Sequence, residues 1–205
     1  MKITWKNIKE SAYRLMFLEP REYESYDEAV IEAANYALVI LAEEFPLKAV
    51  YDIVQTAVDE EGMNEYDLRQ LSMQGDEETF WGFVDDAPIL ALCEGTGWQE
   101  AHEAQILLDR YVFLPKTAEG LYRVVYKKAP QRIDGNTAEE HALELSAAAN
   151  NLMPLLMAYR VFKDDDMAKA AQYYNEFRDM LWAIKRAPTL RDDIAVMAEA
   201  GYERI

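Results

Sequence analysis

The sequence predicts an α+β protein: a mainly α-helical bundle of about four long helices, an inserted small antiparallel β-sandwich or sheet, and a C-terminal arm. Apolar residues recur at helical spacing towards both ends of the chain, whereas β-branched residues and turn signals dominate the middle. A hydrophobic fraction of 51% over 205 residues suits a buried core and argues against disorder. We therefore divide the chain into N-terminal helices at 1–46, a β-rich insertion at 47–133, a helical hairpin at 134–187 and an arm at 188–205.

Two helices are expected before the insertion. The first covers Trp5–Leu18 and ends before Pro20, and Ser25-Tyr26-Asp27-Glu28 then has the pattern of a capping box. Ala29–Glu44 is apolar on several sides, which predicts a helix buried among neighbours and ended by Pro46. The apolar stripe of the first helix consists of Trp5, Ile8, Ala12, Leu15 and Met16.

The insertion has the composition of short strands. Ala49–Val58 is rich in β-branched residues and alternates loosely, and Tyr66–Leu68 has the pattern of a short extended or turn segment. Turns are expected at Gly95–Gly97 and Thr117–Gly120. Strands at this spacing are typical of a small antiparallel sandwich or sheet. The further strands expected are Phe80–Val84, Pro88–Cys93, Ala104–Phe113 and Gly120–Lys128.

Helical periodicity returns after the insertion. A second capping box, Thr137-Ala138-Glu139-Glu140, predicts a helix to about Phe162, with a kink or break near Asn150-Asn151 because Pro154 lies inside it. One of Asp164–Asp166 is expected to cap the next helix, which runs to about Arg186. Its inward stripe is Ala170, Tyr174, Phe177, Leu181 and Ile184.

The formal net charge of −17 excludes a protein that binds nucleic acid by neutralising phosphates. Two interpretations of the charge remain open: it keeps a protein in solution, or it lines a wall that repels DNA. The single cysteine, Cys93, excludes an internal disulfide framework and is expected to be a buried structural thiol. Met1–Glu10 lacks the apolar core of a signal peptide, and the apolar run Ala37–Ala42 is too short to span a membrane. We expect a soluble, non-secreted protein.

No catalytic or ligand-binding motif is complete, so we expect no enzyme activity, cofactor or metal. His102-Glu103-Ala104-Gln105-Ile106 starts like a zinc-protease helix, but Ile106 stands where the second histidine is required. Gly95–Gly97 lacks the third glycine of a dinucleotide loop. Asp164–Asp166 lacks the glycine and the terminal glutamate of a calcium loop.

The most informative segment is residues 148–182. A strand-like run ending at Tyr122–Ile133 is followed by a helix with a P-L-L-x-A-Y-R core and then by a K-A-x-x-Y-Y-N-x-F helix. This order resembles the adaptor proteins of tailed phages, which are head-completion or head-to-tail connector proteins. The resemblance is best over Leu114–Trp182 and includes Glu65–Leu68, while the N-terminal helices match only in type.

The resemblance implies a structural virion protein at the head-tail interface, made in the host cytoplasm. It implies a homo-oligomeric ring, commonly a dodecamer, that binds beneath the portal protein, extends the DNA channel and provides a docking platform for other neck and tail proteins. Double-stranded DNA would pass through the lumen without specific binding, and no membrane or cofactor is involved. The β insertion would face neighbouring subunits or the next tail component.

The resemblance also assigns a role to the C-terminal arm, Thr189–Ile205, since family members often insert such an arm into grooves of the portal. The alternative for this segment is a final helix packed on its own bundle. For the whole chain the alternatives are another neck or tail-completion protein, a cellular helical protein-protein interaction module and, third, an enzyme without a recognisable motif. The expected portal anchors are Leu190, Ile194, Met197, Tyr202 and Ile205.

Overall fold

The computed structural model describes residues 3–16, 18–74 and 77–186. They form two compact units. The helical unit combines the described residues up to Leu41 with those from Arg132 onward, and the β unit is continuous from Ala42 to Gln131. The expected arm at 188–205 lies outside the described residues.

The expected fold class is wrong in its proportions. The described residues form a mixed α+β structure with five α-helices and 26% strand in two antiparallel sheets, in place of the expected bundle of four long helices with a small inserted sheet. One helix is a single turn and another has only 11 residues. The described helices are α1 (Trp5–Leu15), α2 (Tyr23–Glu44), α3 (Leu68–Leu71), α4 (Ala147–Phe162) and α5 (Met167–Arg186).

Helix α1 buries its predicted stripe but starts from a cap that the sequence analysis did not identify. The hydroxyl of Thr4 accepts from the Asn7 amide at 3.5 Å, and the Asn7 side chain accepts from the Thr4 amide at 3.1 Å. These reciprocal bonds satisfy two free donors at the helix start. Tyr13 is buried beside the stripe, whereas Leu15 is only half-buried.

Both capping boxes predicted from the sequence are wrong. Helix α2 begins before Ser25, whose hydroxyl donates to the Glu22 carbonyl at 2.7 Å. Thr137 lies in a turn, because its hydroxyl accepts from the Asp134 amide at 2.9 Å. Such local side-chain bonds compete with helix formation. Helix α4 consequently begins ten residues later than Thr137, where Ser146 accepts from the Ala149 amide at 3.2 Å.

Helix α4 is the centre of the helical unit. Residues 152–158 are all buried, so the helix is covered on every side along two turns. It packs against α5 and α1. The expected break at Asn150-Asn151 is absent, since α4 is continuous through Pro154. The Asn150 amide nitrogen donates to the Leu145 carbonyl at 2.9 Å.

Polar contacts fix the helices around α4. The Tyr13 hydroxyl of α1 donates to Asp27 of α2 at 2.8 Å, and burial together with this carboxylate raises the pKa of Tyr13. Arg160 of α4 donates to Glu32 of α2 at 2.7 Å. The Tyr173 hydroxyl of α5 donates to a backbone carbonyl at the end of α1 at 2.5 Å. Each of α1, α2 and α5 is thus tied to a neighbouring helix by a specific hydrogen bond.

Helix α5 follows the acidic turn, and its predicted cap is confirmed. The Asp166 carboxylate accepts from the Lys169 amide at 3.0 Å. The inward stripe is confirmed in part: Ala170 and Phe177 are buried as expected, but Tyr173 is buried in place of Tyr174. The last two expected members, Leu181 and Ile184, are half-buried. Tyr174 is 39% exposed.

We expect Asp166→Ala to lower the free energy of unfolding by about 1 kcal/mol, because it removes the N-cap acceptor of α5. Asp165→Ala is the matched control, since it removes a neighbouring exposed carboxylate but not the cap. Urea unfolding followed by circular dichroism at 222 nm measures both variants. Equal loss of stability in the two would contradict a capping role.

The β unit contains a five-stranded sheet, a three-stranded sheet and a two-stranded hairpin. The five-stranded sheet has the order β1-β10-β6-β7, with β5 also paired to β10, and all of its pairings are antiparallel. The three-stranded sheet has the order β2-β9-β8. The strands are β1 (Leu47–Gln55), β2 (Met63–Asp67), β3 (Met73–Gln74), β4 (Glu77–Glu78), β5 (Phe80–Phe83), β6 (Ile89–Cys93), β7 (Gly97–Glu100), β8 (Gln105–Leu107), β9 (Tyr111–Pro115) and β10 (Gly120–Lys128).

The two sheets share one apolar core and a buried polar connection. The Gln55 side chain of β1 accepts from the Tyr66 hydroxyl of β2 at 3.0 Å and donates to the Ala118 carbonyl at 3.2 Å. The strand expected at Ala104–Phe113 is divided into β8 and β9, because Leu108 and Asp109 have left-handed backbone angles, with φ of 54° and 48°. The fully buried aliphatic residues of this core are Leu68, Val112, Leu114 and Val124.

Candidate protein interface

Strand β1 alternates between a buried and an exposed side. Ile53 and Gln55 face the core, whereas Val50 and Val54 point away from it and are 55% and 79% exposed. A strand with one solvated face normally places polar residues there. The two exposed valines make that side a candidate surface for a partner.

The strand register extends this surface across the sheet. Lys48, Val50, Asp52 and Val54 of β1 stand opposite Lys127, Val125, Arg123 and Leu121 of β10. Leu90 of β6 stands opposite Arg123, and β6 in turn pairs with β7. We call the side of the sheet that carries these side chains the outer face. Its apolar members are Val50, Val54, Leu90, Leu92, Trp98, Leu121 and Val125.

Arg123 fixes the polar groups at the centre of the outer face. Its guanidinium donates to both carboxylate oxygens of Asp52, at 2.7 and 2.8 Å. The same guanidinium lies 4.3 Å from the centroid of the Trp98 ring. The hydrogen bonds from Arg123 hold the pKa of Asp52 below its usual value. The Arg123 side chain of β10 thus contacts both β1 and β7 and holds the side chains of Asp52 and Trp98 in place.

Strands β1 and β7 are the two ends of the path β1-β10-β6-β7, and β5, which pairs with β10 beside β6, is a further edge strand. Within the described part of the chain, β1 pairs only with β10 and β7 only with β6. The pairing of β1 with β10 runs over nine residues without a register shift. A long regular edge offers unpaired backbone groups to another strand.

Helix α5 exposes two large apolar side chains on different sides of the helix. Trp182 and Met180 are exposed near the end of the helix. The Arg186 guanidinium lies 3.5 Å from the centroid of the Trp182 ring.

The residues considered for chemistry do not form a site in the described structure. His102 lies in a turn, so the incomplete zinc-protease pattern is not even helical. Gly95–Gly97 forms the β6–β7 hairpin turn, as expected, and Cys93 is half-buried where a buried thiol was predicted. In residues 3–16, 18–74 and 77–186, no group of three His, Cys, Asp or Glu side chains could hold a metal ion. The helices in these ranges are also too short or too polar to cross a membrane.

The predicted portal anchors are not tested, because all of them lie outside the described residues. These anchors are Leu190, Ile194, Met197, Tyr202 and Ile205. The sequence analysis missed the outer face. Its signal was the alternation Lys48, Val50, Asp52, Val54, in which apolar and charged residues share one side of a strand.

Comparison with known protein families found none that matches this chain, and comparison with curated proteins found no significantly similar sequence. The likeness to phage adaptors therefore stays a prediction.

Proposed function

We propose that this protein is a structural subunit of a virion, a head-to-tail adaptor that forms a ring beneath the portal and receives the next neck or tail protein. The observation that carries the proposal is the outer face, where Val50, Val54 and Leu92 are exposed beside the Arg123–Asp52 ion pair on a chain with a net charge of −17. Such a surface on a highly charged protein is typical of assembly.

The helical unit supports the specific choice of an adaptor. The two segments that carry the resemblance, Leu152–Tyr159 and Lys169–Phe177, lie on α4 and α5. These helices pack against each other and are joined by the acidic turn at Asp164–Asp166. The order of elements on which the resemblance depends is thus compatible with a helical hairpin.

The acidic charge has a role in this proposal. Carboxylates that line a ring lumen repel the phosphate backbone, so that the genome passes without binding. Exposed candidates occur in both units, among them Asp59 and Glu61 after β1 and Asp165 before α5. A neck structure with a basic or neutral lumen would contradict this part of the proposal.

The first test is the copy number of this protein relative to portal in purified, DNA-filled particles. Quantitative mass spectrometry with isotope-labelled peptides of both proteins gives the ratio directly. We expect about one copy per portal subunit, because a ring matched to the portal has that stoichiometry. A major capsid peptide set serves as the internal control for particle number.

Absence of the protein from such particles would overturn the adaptor role and favour a cellular interaction module. A copy number far below that of the portal would favour another neck or tail component. Pull-down with purified portal protein separates these cases, since only an adaptor is expected to bind the portal directly.

A further inference from the structure

We propose that the five-stranded sheet continues from one copy of this chain into the next, with β7 of one copy paired to β1 of its neighbour and Glu100 opposite Lys48. The inference rests on the proposed function, because a ring requires a contact between successive copies. It adds the surface, the strand direction and the register of that contact.

The backbone groups at the two edges are positioned for this pairing. In antiparallel strands, directly opposed residues alternate between hydrogen-bonded and non-hydrogen-bonded pairs. The Val125 amide donates to the Pro88 carbonyl, so the β10 residues that bond to β1 are the alternate ones, Tyr122, Val124 and Tyr126. Their partners on β1 are residues 49, 51 and 53, whose backbone groups therefore bond to β10. The groups of residues 48, 50, 52 and 54 therefore point to the open edge.

The backbone groups of β7 that do not bond to β6 follow from the same alternation. The Ala101 amide donates to the Ile89 carbonyl at 3.0 Å, in register with the β6–β7 pairing. Gly97 and Gln99 accordingly bond to β6, and the backbone groups of Trp98 and Glu100 point away from it. On both edges the open groups belong to residues whose side chains lie on the outer face.

The strand count fixes the direction of the contact. The path β1-β10-β6-β7 has four strands, each antiparallel to the next, so β1 and β7 run in opposite directions. When a second copy is placed beside the first by rotation, its β1 is antiparallel to β7 of the first. The joined sheet is then antiparallel throughout, which suits the hydrogen-bonding geometry of both edges.

Side-chain charge selects one of three registers. Glu100 can stand opposite Lys48, Val50 or Asp52 if Trp98 is to remain opposite another outer-face residue of β1. Glu100 opposite Asp52 brings two carboxylates together, and Glu100 opposite Val50 places Trp98 beside Asp52. Only the register with Glu100 opposite Lys48 pairs opposite charges.

The selected register also matches the apolar residues. It places the half-buried ring of Trp98 opposite Val50, an aromatic and β-branched pair of the kind that stabilises antiparallel strands. Lys48 and Glu100 are both exposed, and among the described residues neither has an ion-pair partner. The contact joins different surfaces on the two copies, so it propagates beyond a dimer, and it forms a ring where the rotation between successive copies closes.

Charge reversal tests the register. We expect Lys48→Glu and Glu100→Lys each to weaken association by about tenfold, because like charges then face each other. The double variant restores the opposite-charge pair and is expected to recover most of the association. Glu94→Lys, in the hairpin turn next to β7, is the control with the same change of net charge as Glu100→Lys. Sedimentation velocity measures association of each full-length variant, with and without purified portal protein.

Cross-linking tests the geometry. In a Cys93→Ser background, Lys48→Cys and Glu100→Cys in the same chain are expected to give a ladder of disulfide-linked multimers on mild oxidation. The combination of Val54→Cys with Glu100→Cys is the out-of-register control and is expected to stay unlinked. A product that stops at the dimer, or equal linking in the control, would overturn the head-to-tail register.

The outcomes for the contact and for the adaptor role are separable. Rings on the portal that give no ladder would overturn the contact and leave the adaptor role intact. A ladder from a protein that is absent from particles would support the contact and overturn the adaptor role. If the chain gives no ladder either alone or with portal, the contact is wrong.

Discussion

Replacement of Leu156 by alanine is expected to lower the free energy of unfolding by about 3 kcal/mol. Leu156 is fully buried in the middle of α4, within the run 152–158 in which every residue is buried. The lost side chain therefore leaves a cavity that the surrounding helices cannot fill without moving away from their own contacts. This is the largest effect that we predict for a single substitution.

Urea unfolding followed by circular dichroism at 222 nm measures this change. The signal reports on the helical unit because the long helices belong mainly to it. Asn151→Ala on the same helix is the control, since Asn151 is exposed and its loss is expected to change the unfolding free energy by less than about 0.5 kcal/mol. A loss below about 1 kcal/mol for Leu156→Ala would show that α4 is not the packed centre of the unit.

Asp67→Ala is expected to lower the free energy of unfolding by about 2 kcal/mol at neutral pH, between the values for exposed and buried ion pairs. The Asp67 side chain is only 13% exposed and accepts from the Arg110 guanidinium at 2.7 Å. It also accepts from the Arg69 amide at 3.1 Å, which caps α3. Removal of the carboxylate leaves both donors without this acceptor.

The effect of Asp67→Ala depends on pH. The hydrogen bond from Arg110 holds the pKa of folded Asp67 below its usual value, which is about 3.9 in an unfolded chain. A lowered folded pKa means that the stabilisation is complete above about pH 4 and is lost as the pH falls through the folded value. The difference between wild type and variant should therefore shrink on acidification.

Thermal unfolding from pH 7 to pH 2 measures this dependence. Glu65→Ala on the same strand is the control, because Glu65 is exposed and lies two residues away. A stability difference that stays constant between pH 5 and pH 2 would contradict the ion pair as its cause.

Sequence periodicity predicted which helix residues are buried better than it predicted where the helices begin. The stripe of α1 and the residues Ala170 and Phe177 of α5 were identified because burial repeats with the helical period. Helix starts depend on single hydrogen bonds, for which Ser25 and Thr137 had other local partners, the Glu22 carbonyl and Asp134. The proportion of strand was underestimated because strands of three to five residues carry little periodic signal.

The outer face could be predicted only in part. The alternation along Lys48–Val54 is visible in the sequence, but it does not tell which side of the strand meets the core. Arg123 lies 71 residues from Asp52, and only the pairing of β1 with β10 brings them together. The edge positions of β1 and β7, on which the register argument depends, follow from the strand order and from no local pattern.

The full-length pairing of β1 with β10 has a consequence for how the chain folds. Leu47 stands opposite Lys128, so the two ends of the β unit are adjacent once its sheet has formed. Closure of a flexible loop of about ninety residues costs roughly 2–3 kcal/mol more in entropy than closure of a short one. A β unit that folds first removes this cost and brings α2 and the segment leading to α4 within reach of each other. During synthesis, a folded β unit would then act as a short connection between the N-terminal helices and the later α4 and α5.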